Sequence, residues 1–522
     1  MSDITDQAAP MTQAQLDSLG ELAPANPTHI WIEPTNRCNT RCTHCGHFYG
    51  KFGQDMDAGL YRRIADSVLE GVERAELIGY GEPFMAKPFW QMFDECMARG
   101  IEVYSTSNGI LLRDDERVAK IVRSNVVLCL SIDGARRETF EAIRPFVKWD
   151  GILKTLECIR RNAEAAGSER RFRFRINFVA MRQNVADLPE LVRLAHRYGA
   201  AEIFVLPLGG EDVFGEMKGQ SVNDAPELVA PAFLEALRIG SRLGVQVDVP
   251  AAYWPMILGG ADRGRGLSGK TRRLWRRGQL ARLKARQLGL RAVLSRLRSR
   301  REPRGKAGVT YCTMPWKDAY FASDGTVFPC CIMGEKLGDM TQQSWEEIWN
   351  GPLYRNLRRT IHGWNPSRVC RECALPTGIN GGDEHHHRRF FEQFRAVPLT
   401  LDSTEIEFGD GFHALERDAD GRPSHVWMSR TGTLTLPKRE GARFVRLEIN
   451  SRQPVRETNP GRCVINGREV HFFDNTCDHL HFPVDALPGP RIELRLEMEQ
   501  AHRVAPDPRE LALPVRGIAH LA

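Results

Sequence analysis

Three cysteines crowd into a stretch of eight residues near the start of the chain. Cys38, Cys42 and Cys45 lie in the sequence CNTRCTHC, at positions i, i+4 and i+7. Thiolates with this spacing on a tight loop can converge on one face of a cubane iron–sulfur cluster. A closed metal site takes four protein ligands, so three thiolates leave one metal position open for another molecule. A partial zinc site or a chance grouping is the alternative interpretation.

The elements predicted around these cysteines place them just after a strand. Strand-like runs separated by helical patterns extend from residue 28 to about residue 250, and this alternation predicts βα units with a parallel sheet. Active sites in such folds cluster at the carboxyl ends of the strands, where the cysteine loop begins. The six predicted strands are HIWIEP, RAELIGY, EVYSTSN, VVLCLSID, RFRINFV and AEIFVLP.

The cysteine stretch resembles the cluster signature of radical S-adenosylmethionine (SAM) enzymes. In that family the open iron binds the amino and carboxylate groups of SAM, and reductive cleavage yields a 5′-deoxyadenosyl radical. The resemblance covers roughly residues 28–250 and implies a partial (β/α)6 barrel. It also implies that Cys38, Cys42 and Cys45 ligate a SAM-binding 4Fe-4S cluster. A low-potential donor such as a ferredoxin or flavodoxin would supply the electron.

Short motifs at later strand ends carry the expected SAM contacts. The sequence GYGEP resembles the family's glycine-rich segment, in which Gly79 and Gly81 let the backbone approach the ligand and Glu82 offers an acceptor. The motifs STSNG and LSIDG end the third and fourth strands, and a further polar residue lies on the fifth. The candidate contacts from these later strands are Ser107, Asn108, Ser131, Asp133 and Asn177.

One more cysteine belongs to the fourth predicted strand. Cys129 shares a strand face with Ser131 and Asp133, because alternate residues of a strand point the same way. A thiol in the cleft could donate a hydrogen atom to a substrate radical during epimerisation. A position in a lower layer of the core is the favoured alternative.

A second group of five cysteines lies between residues 312 and 373. Four of them could close a metal site, and spacing alone leaves a zinc site and a closed 4Fe-4S cluster both open. With Gly325 and the run LGDMTQQSWEEIWN, the region resembles the SPASM extension of radical SAM enzymes. That resemblance implies one auxiliary 4Fe-4S cluster, with Cys331 as an alternative to Cys330. The implied ligands are Cys312, Cys330, Cys370 and Cys373.

Composition and charge narrow the class of protein. Hydrophobic residues make up 42% and charged residues 26% of the chain, as in ordinary globular proteins. Thirteen cysteines without a secretory signal favour a reducing, cytoplasmic location. The longest uncharged run, at 249–261, is too short to span a bilayer, which needs about 20 residues.

Positive charge is concentrated in one segment. Residues 263–306 contain 17 Lys or Arg and one acid, and subtracting this +16 from the chain's +6 leaves −10 elsewhere. Leucines at helical spacing within 274–297 predict a basic amphipathic helix. We expect this segment to associate with an anionic membrane surface, with a solvated insertion as the alternative. Nucleic acid is not favoured as a partner, because residues 276–306 contain no aromatic side chain.

These features predict five regions. They are a flexible N-terminus at 1–27, a barrel at 28–250, a basic insertion at 251–308, a SPASM-like α+β module at 309–395 and an all-β sandwich at 400–522. Short alternating runs such as RIELRLEME predict the sandwich. Its end faintly resembles β-sandwich modules attached to bacterial polysaccharide proteins.

The expected function is SAM cleavage followed by hydrogen abstraction from a substrate C–H. The sandwich favours a saccharide or glycoconjugate substrate, with epimerisation or oxidation as the reaction. The first alternative is a peptide or protein maturase that uses the same radical chemistry. The second is a zinc-stabilised binding protein with a basic arm. The sequence does not fix the substrate, the fate of SAM or the oligomeric state.

Overall fold

A computed structural model describes most of the chain, as two compact units. The first unit draws on residues within 26–301 and 318–326, and the second on residues within 11–25, 302–317 and 327–522. Nearly all of the predicted basic segment, including its leucine stripe, lies outside the described residues. No helix in the described ranges is long and apolar enough to cross a membrane. Those ranges are 19–46, 53–167, 171–208, 217–250, 253–254, 256–257, 306, 312–373, 386–449, 457–503 and 507–522.

The first unit is built on a parallel sheet of eight strands. Their order across the sheet is β8-β1-β2-β3-β4-β5-β6-β7, so consecutive strands are neighbours except where β8 joins beside β1. All six predicted strands are present, and the predicted α/β fold is confirmed. The strands are β1 His29–Ile32, β2 Arg74–Leu77, β3 Glu102–Ser107, β4 Val126–Ser131, β5 Arg173–Ala180, β6 Glu202–Pro207, β7 Gln246–Asp248 and β8 Asp318–Phe321.

Helices connect these strands and bury their apolar stripes. Asp57 and Asp114 cap α1 and α3 by accepting backbone N–H groups of the first turn, as short polar side chains do at helix starts. Gly244 ends α7 with φ +74°, a left-handed conformation that glycine adopts without strain. The helices are α1 Ala58–Val68, α2 Phe89–Ala98, α3 Asp115–Val122, α4 Arg137–Ile143, α5 Trp149–Ala165, α6 Leu188–Arg197 and α7 Pro226–Leu243.

The last strand of this sheet comes from far along the chain. β8 pairs in parallel with β1, and His29 lies opposite Asp318 in the register. The His29 ring nitrogens also lie 3.0 Å from carboxylate oxygens of Asp318 and Glu76. These contacts join three strands at the amino-terminal edge, opposite the edge that carries the cysteine loop.

The second unit begins with short helices and two short strands. Residues 19–25, from the segment expected to be flexible, belong to this unit. Glu21 forms ion pairs with Arg355 and Arg359, and the Ala23 N–H donates to Asn350 at 2.9 Å. The elements are α8 Met314–Lys317, β9 Thr326–Phe328, β10 Gly338–Asp339, α9 Trp345–Trp349, α10 Pro352–Thr360, α11 Arg368–Arg371 and α12 His386–Glu392.

The rest of the second unit is a sandwich of antiparallel sheets. One sheet has the order β13-β14-β23-β16-β19 with β11 beside β23, the other has β12-β15-β20-β17-β18, and β21 pairs with β22. Alternation places Ile492, Leu494 and Leu496 of β20 in the core. The strands are β11 Ala396–Leu399, β12 Glu407–Phe408, β13 Phe412–Arg417, β14 Pro423–Met428, β15 Thr431–Pro437, β16 Phe444–Ile449, β17 Pro460–Ile465, β18 Glu469–Asp474, β19 His479–Pro483, β20 Arg491–Met498, β21 His502–Arg503, β22 Glu510–Leu511 and β23 Leu513–Leu521.

Candidate active site

The structure brings the three cysteines of CNTRCTHC together on the loop after β1. Cys42 is buried, whereas Cys38 and Cys45 are partly exposed. Burial raises the pKa of the Cys38 thiol, and the nearby Cys42 and Cys45 thiols raise it further. The Thr40 hydroxyl lies 3.0 Å from the Cys42 sulfur. The loop therefore gathers three thiols that share one electrostatic environment.

The glycines of GYGEP pack against the chain around this loop. A Cβ atom on Gly81 would overlap the carbonyl oxygen of Arg37, and the next residue, Glu82, donates its N–H to that same oxygen at 2.8 Å. A Cβ atom on Gly79 would overlap the Glu33 side chain. Both positions therefore require glycine so that the segment can approach the cysteine loop closely.

Glu82 is a buried carboxylate that holds the end of β3. It accepts hydrogen bonds from the Ser107 hydroxyl at 2.7 Å and from the Asn108 N–H at 2.8 Å. Asn108 in turn donates from its side chain to Asn39 at 2.6 Å, next to Cys38 on the cysteine loop. Burial raises the pKa of Glu82 to about 7, although these hydrogen bonds oppose the rise. The predicted SAM contacts Glu82, Ser107 and Asn108 thus form one network.

Glu33 is a functional candidate that the sequence analysis missed. This buried carboxylate, at the end of the first strand run, accepts the Tyr80 N–H at 2.9 Å. Its other oxygen accepts the N–H and hydroxyl of Ser323 at 3.0 and 2.8 Å. A carboxylate directly after the apolar strand run HIWI was the available signal. Glu33 ties the GYGEP segment to the residue that follows β8.

Asp133 of LSIDG belongs to a buried ionic cluster beside the cysteine loop. One of its oxygens accepts the Val179 N–H at 2.7 Å. The other lies 2.6 Å from a terminal nitrogen of Arg144 and 3.3 Å from the His44 ring. Arg144 also donates to the Cys42 sulfur at 3.3 Å. The sequence analysis missed Arg144 and His44, and nothing in the local sequence around Arg144 marks it as part of the site.

Ser131 and Asn177 lie opposite each other at the ends of β4 and β5. The Asn177 Oδ1 atom is buried, as are the Thr43 hydroxyl and His44 Nδ1, and none of the three has a hydrogen-bond partner among the described residues. Buried polar atoms without partners are costly, so such atoms mark where a bound group would bond. Three gathered thiols with unsatisfied polar atoms on the same loop and the neighbouring strand fit a cluster that carries a further ligand.

Cys129 lies in the core. Its sulfur donates to the Tyr104 hydroxyl at 2.9 Å, and its side chain packs with Tyr104 and Val127. Burial raises the pKa of the Cys129 thiol to about 12, so the thiol keeps its proton at neutral pH. It precedes Ser131 on the same face of β4, one layer below it. Its hydrogen-donor role stays a prediction.

The second cysteine group lines a pocket in the second unit. All four predicted auxiliary ligands line it, including Cys330, whereas the neighbouring described residue Cys331 does not. The rest of the lining is Met314, Pro315, Pro329, Ile332, Gly334, Leu357, Ile361 and Val369. Four thiols around an apolar pocket fit a cluster that is fully enclosed by protein ligands.

Residues from two directions hold this pocket in place. His362 lies 3.0 Å from both the N–H and the carbonyl oxygen of Cys312, and burial lowers its pKa to about 4. Thr476 of the sandwich accepts the Arg368 N–H at 3.0 Å, at the start of the helix that carries Cys370. No group of three or more His, Cys, Asp or Glu side chains in the described ranges has the spacing of a single-ion site. The fit to a cluster therefore rests on four thiols around one pocket.

Two family models match the two cysteine regions. The model described as the radical SAM superfamily matches residues 32–205. The SPASM model, described as an iron–sulfur cluster-binding domain, matches residues 312–374. The chain contains a radical SAM domain and a SPASM domain. The resemblance drawn from the motifs is confirmed, as are the SAM-binding 4Fe-4S cluster, the auxiliary cluster and SAM as cofactors. The assignment of individual ligands and contacts stays a prediction.

Curated relatives match mainly the radical SAM domain. The mycofactocin maturase MftC of Mycobacterium tuberculosis is 32% identical over 179 residues, which cover 33% of this chain and 43% of the relative. The chain thus matches less than half the length of that relative. The AdoMet-dependent heme synthase of Methanosarcina barkeri is 23% identical over 376 residues, covering 67% of this chain and 88% of the relative.

Solved structures show a distant likeness. Streptococcus suis SuiB bound to S-adenosylmethionine is 16% identical, with a TM-score of 0.44 over 68% of this chain and 73% of that one. The enzyme titled anSMEcpe with bound AdoMet gives a TM-score of 0.42 at 16% identity, over 70% and 92% of the two chains. At this distance the likeness says nothing about substrate.

Proposed function

We propose that this protein is a radical SAM peptide maturase. It cleaves SAM reductively at a cluster held by Cys38, Cys42 and Cys45, and the resulting radical abstracts a hydrogen atom from a C–H bond of a peptide. The observation that carries the proposal is the match of the radical SAM domain to a maturase at 32% identity. The SPASM match downstream supports the same class.

The bound cluster with SAM would supply the organic radical, and the protein's residues would hold that pair in place. Glu82 and Asn108 fix the cysteine loop against the end of β3. The Asn177 Oδ1 atom is left to bond the bound molecule. The parallel sheet supports all these contacts from strand ends, which keeps their spacing rigid.

The other substrate classes have less support. The saccharide substrate rests on the faint resemblance of the sandwich, and the curated relatives reported above include a maturase and a heme synthase. The zinc-binding alternative conflicts with two family matches to cluster-binding domains. A membrane-surface location rests on the basic segment and stays a prediction.

Anaerobic reconstitution tests the proposal. We expect the wild-type chain with SAM and dithionite to release 5′-deoxyadenosine, and Cys42→Ala to release none, because losing one of three thiolates removes the cluster. Cys96→Ala is the matched control, since Cys96 is buried in α2, away from both cysteine groups.

The peptide part of the proposal has its own readout. A precursor peptide encoded beside the gene should show a mass change only with wild-type protein and SAM. Cleavage of SAM at the wild-type rate by Cys42→Ala would refute the radical SAM chemistry. An unmodified peptide alongside a modified saccharide would refute only the substrate class.

A further inference from the structure

A buried guanidinium lies against one of the three loop cysteines. Arg144 is 7% exposed, and its Nη1 atom donates to the Cys42 sulfur at 3.3 Å. The Thr40 hydroxyl is 3.0 Å from the same sulfur. A cation at this depth is poorly screened by solvent, so its effect on the sulfur is larger than at the surface.

The guanidinium cannot easily leave this position. Its Nη2 atom lies 2.6 Å from Asp133, which is completely buried and also accepts the Val179 N–H at 2.7 Å. Breaking a buried ion pair leaves an uncompensated charge, which costs about 3–5 kcal/mol. Asp133 therefore holds one end of the planar fork while the other end faces Cys42.

We propose that Arg144 is a positioning residue that raises the reduction potential of the SAM-binding cluster, and that Asp133 partly offsets it. This inference rests on the proposed function, because it takes Cys42 to be a cluster ligand. One electron from a low-potential donor reduces the cluster from the 2+ to the 1+ state. A nearby cation and an N–H donated to a ligand sulfur stabilise the more negative, reduced state.

The two members of the pair predict shifts of opposite sign. Removing the cation in Arg144→Met should move the midpoint potential to a more negative value. Arg144→Lys keeps the charge but loses the planar fork, so its midpoint should lie between those of Arg144→Met and the wild type. Asp133→Asn keeps an oxygen for the Val179 N–H but removes the negative charge, so its midpoint should be more positive.

Reconstituted full-length protein allows these potentials to be measured. Dithionite titration with redox mediators, followed by electron paramagnetic resonance, gives a midpoint for each cluster signal. The signal that changes when SAM is added belongs to the SAM-binding cluster, which separates it from the auxiliary cluster. The same samples are assayed for 5′-deoxyadenosine.

An Arg144→Met midpoint equal to that of the wild type, in a SAM-sensitive signal, would overturn the inference. So would shifts of both variants in the same direction, which general damage to the loop would cause. If Arg144→Met holds no SAM-sensitive cluster, Asp133→Asn decides, and an unchanged or more negative midpoint counts against us. A wild-type SAM-sensitive signal without 5′-deoxyadenosine would refute the proposed function alone.

Discussion

The two cysteine regions solve different problems with the same side chain. Around Cys38, Cys42 and Cys45 the neighbours are polar and charged, and they include the buried groups Arg144 and Glu82. Around the four cysteines of the SPASM domain the pocket lining is otherwise apolar, formed by Met, Pro, Ile, Leu, Val and Gly. A site with three thiols and polar neighbours suits a cluster that binds a further polar molecule. A site with four thiols and apolar neighbours suits a closed cluster.

Buried histidines show the same contrast. Burial opposes protonation of His29, but hydrogen bonds to Asp318 and Glu76 outweigh it and raise its pKa to about 9. In the SPASM domain, burial lowers the pKa of His362 to about 4, and its hydrogen bond to Cys312 only partly offsets this. The first unit stabilises a buried cation with carboxylates, whereas the surroundings of the auxiliary site exclude one.

The largest expected effect separates the clusters by their ligands. The wild type should hold about eight irons per chain, as two 4Fe-4S clusters. Replacing Cys38, Cys42 and Cys45 by alanine should remove about half of the iron and all SAM cleavage. Iron and sulfide analysis after reconstitution measures this. Stoichiometric zinc and no iron in that variant would show that the second site is not a cluster.

The histidines should give stability profiles of opposite slope. His29 has a raised pKa, so its contribution is complete below about pH 6.5 and is lost as the pH rises towards 9. His362 has a lowered pKa, so stability falls as the pH drops from about 6.5 towards 4. Each change amounts to at most about 3 kcal/mol.

Thermal unfolding across this pH range measures both slopes. His29→Gln should flatten the alkaline side of the profile, and His362→Gln should flatten the acid side. His196→Gln, at an exposed histidine of α6, is the matched control and should leave the profile unchanged. If His29→Gln flattened the acid side instead, the assigned direction of its pKa shift would be wrong.

The smallest expected effect concerns the support of the auxiliary site. Asn365 donates to the His481 carbonyl at 3.0 Å and accepts its N–H at 2.7 Å, which joins the chain before Cys370 to β19 of the sandwich. Asn365→Ala leaves both buried groups unpaired and should cost about 2 kcal/mol. Urea unfolding measures the loss, with the exposed Gln342→Ala as control. An unchanged midpoint would show that these bonds do not support the unit.

The chemistry of both sites could be predicted where it is written in local sequence. The cysteine spacing and the strand-end motifs are contiguous, so their order along the chain implied their order along the sheet. Arg144 could not be predicted in the same way, because its contact with Cys42 joins residues 102 positions apart. The pairing of β8 with β1 and the contact of Ser323 with Glu33 also depend on distant parts of the chain.

Motif residues also took roles that their sequence alone did not indicate. Glu82 was expected to accept a hydrogen bond from SAM, and in the structure its oxygens already accept from Ser107 and Asn108. Asp133 was expected to contact SAM, and it pairs with Arg144. A buried carboxylate seeks donors from any nearby element, and only the tertiary structure shows which ones it finds.

Electron paramagnetic resonance of the reduced protein, recorded with and without SAM, tests the contrast between the two regions most directly. Two cluster signals should be present, and SAM should change one and leave the other as it was. The SAM-sensitive signal should vanish when Cys38, Cys42 and Cys45 are replaced, whereas the insensitive signal remains. A protein in which SAM alters neither signal, or alters the one that survives this replacement, would contradict the account.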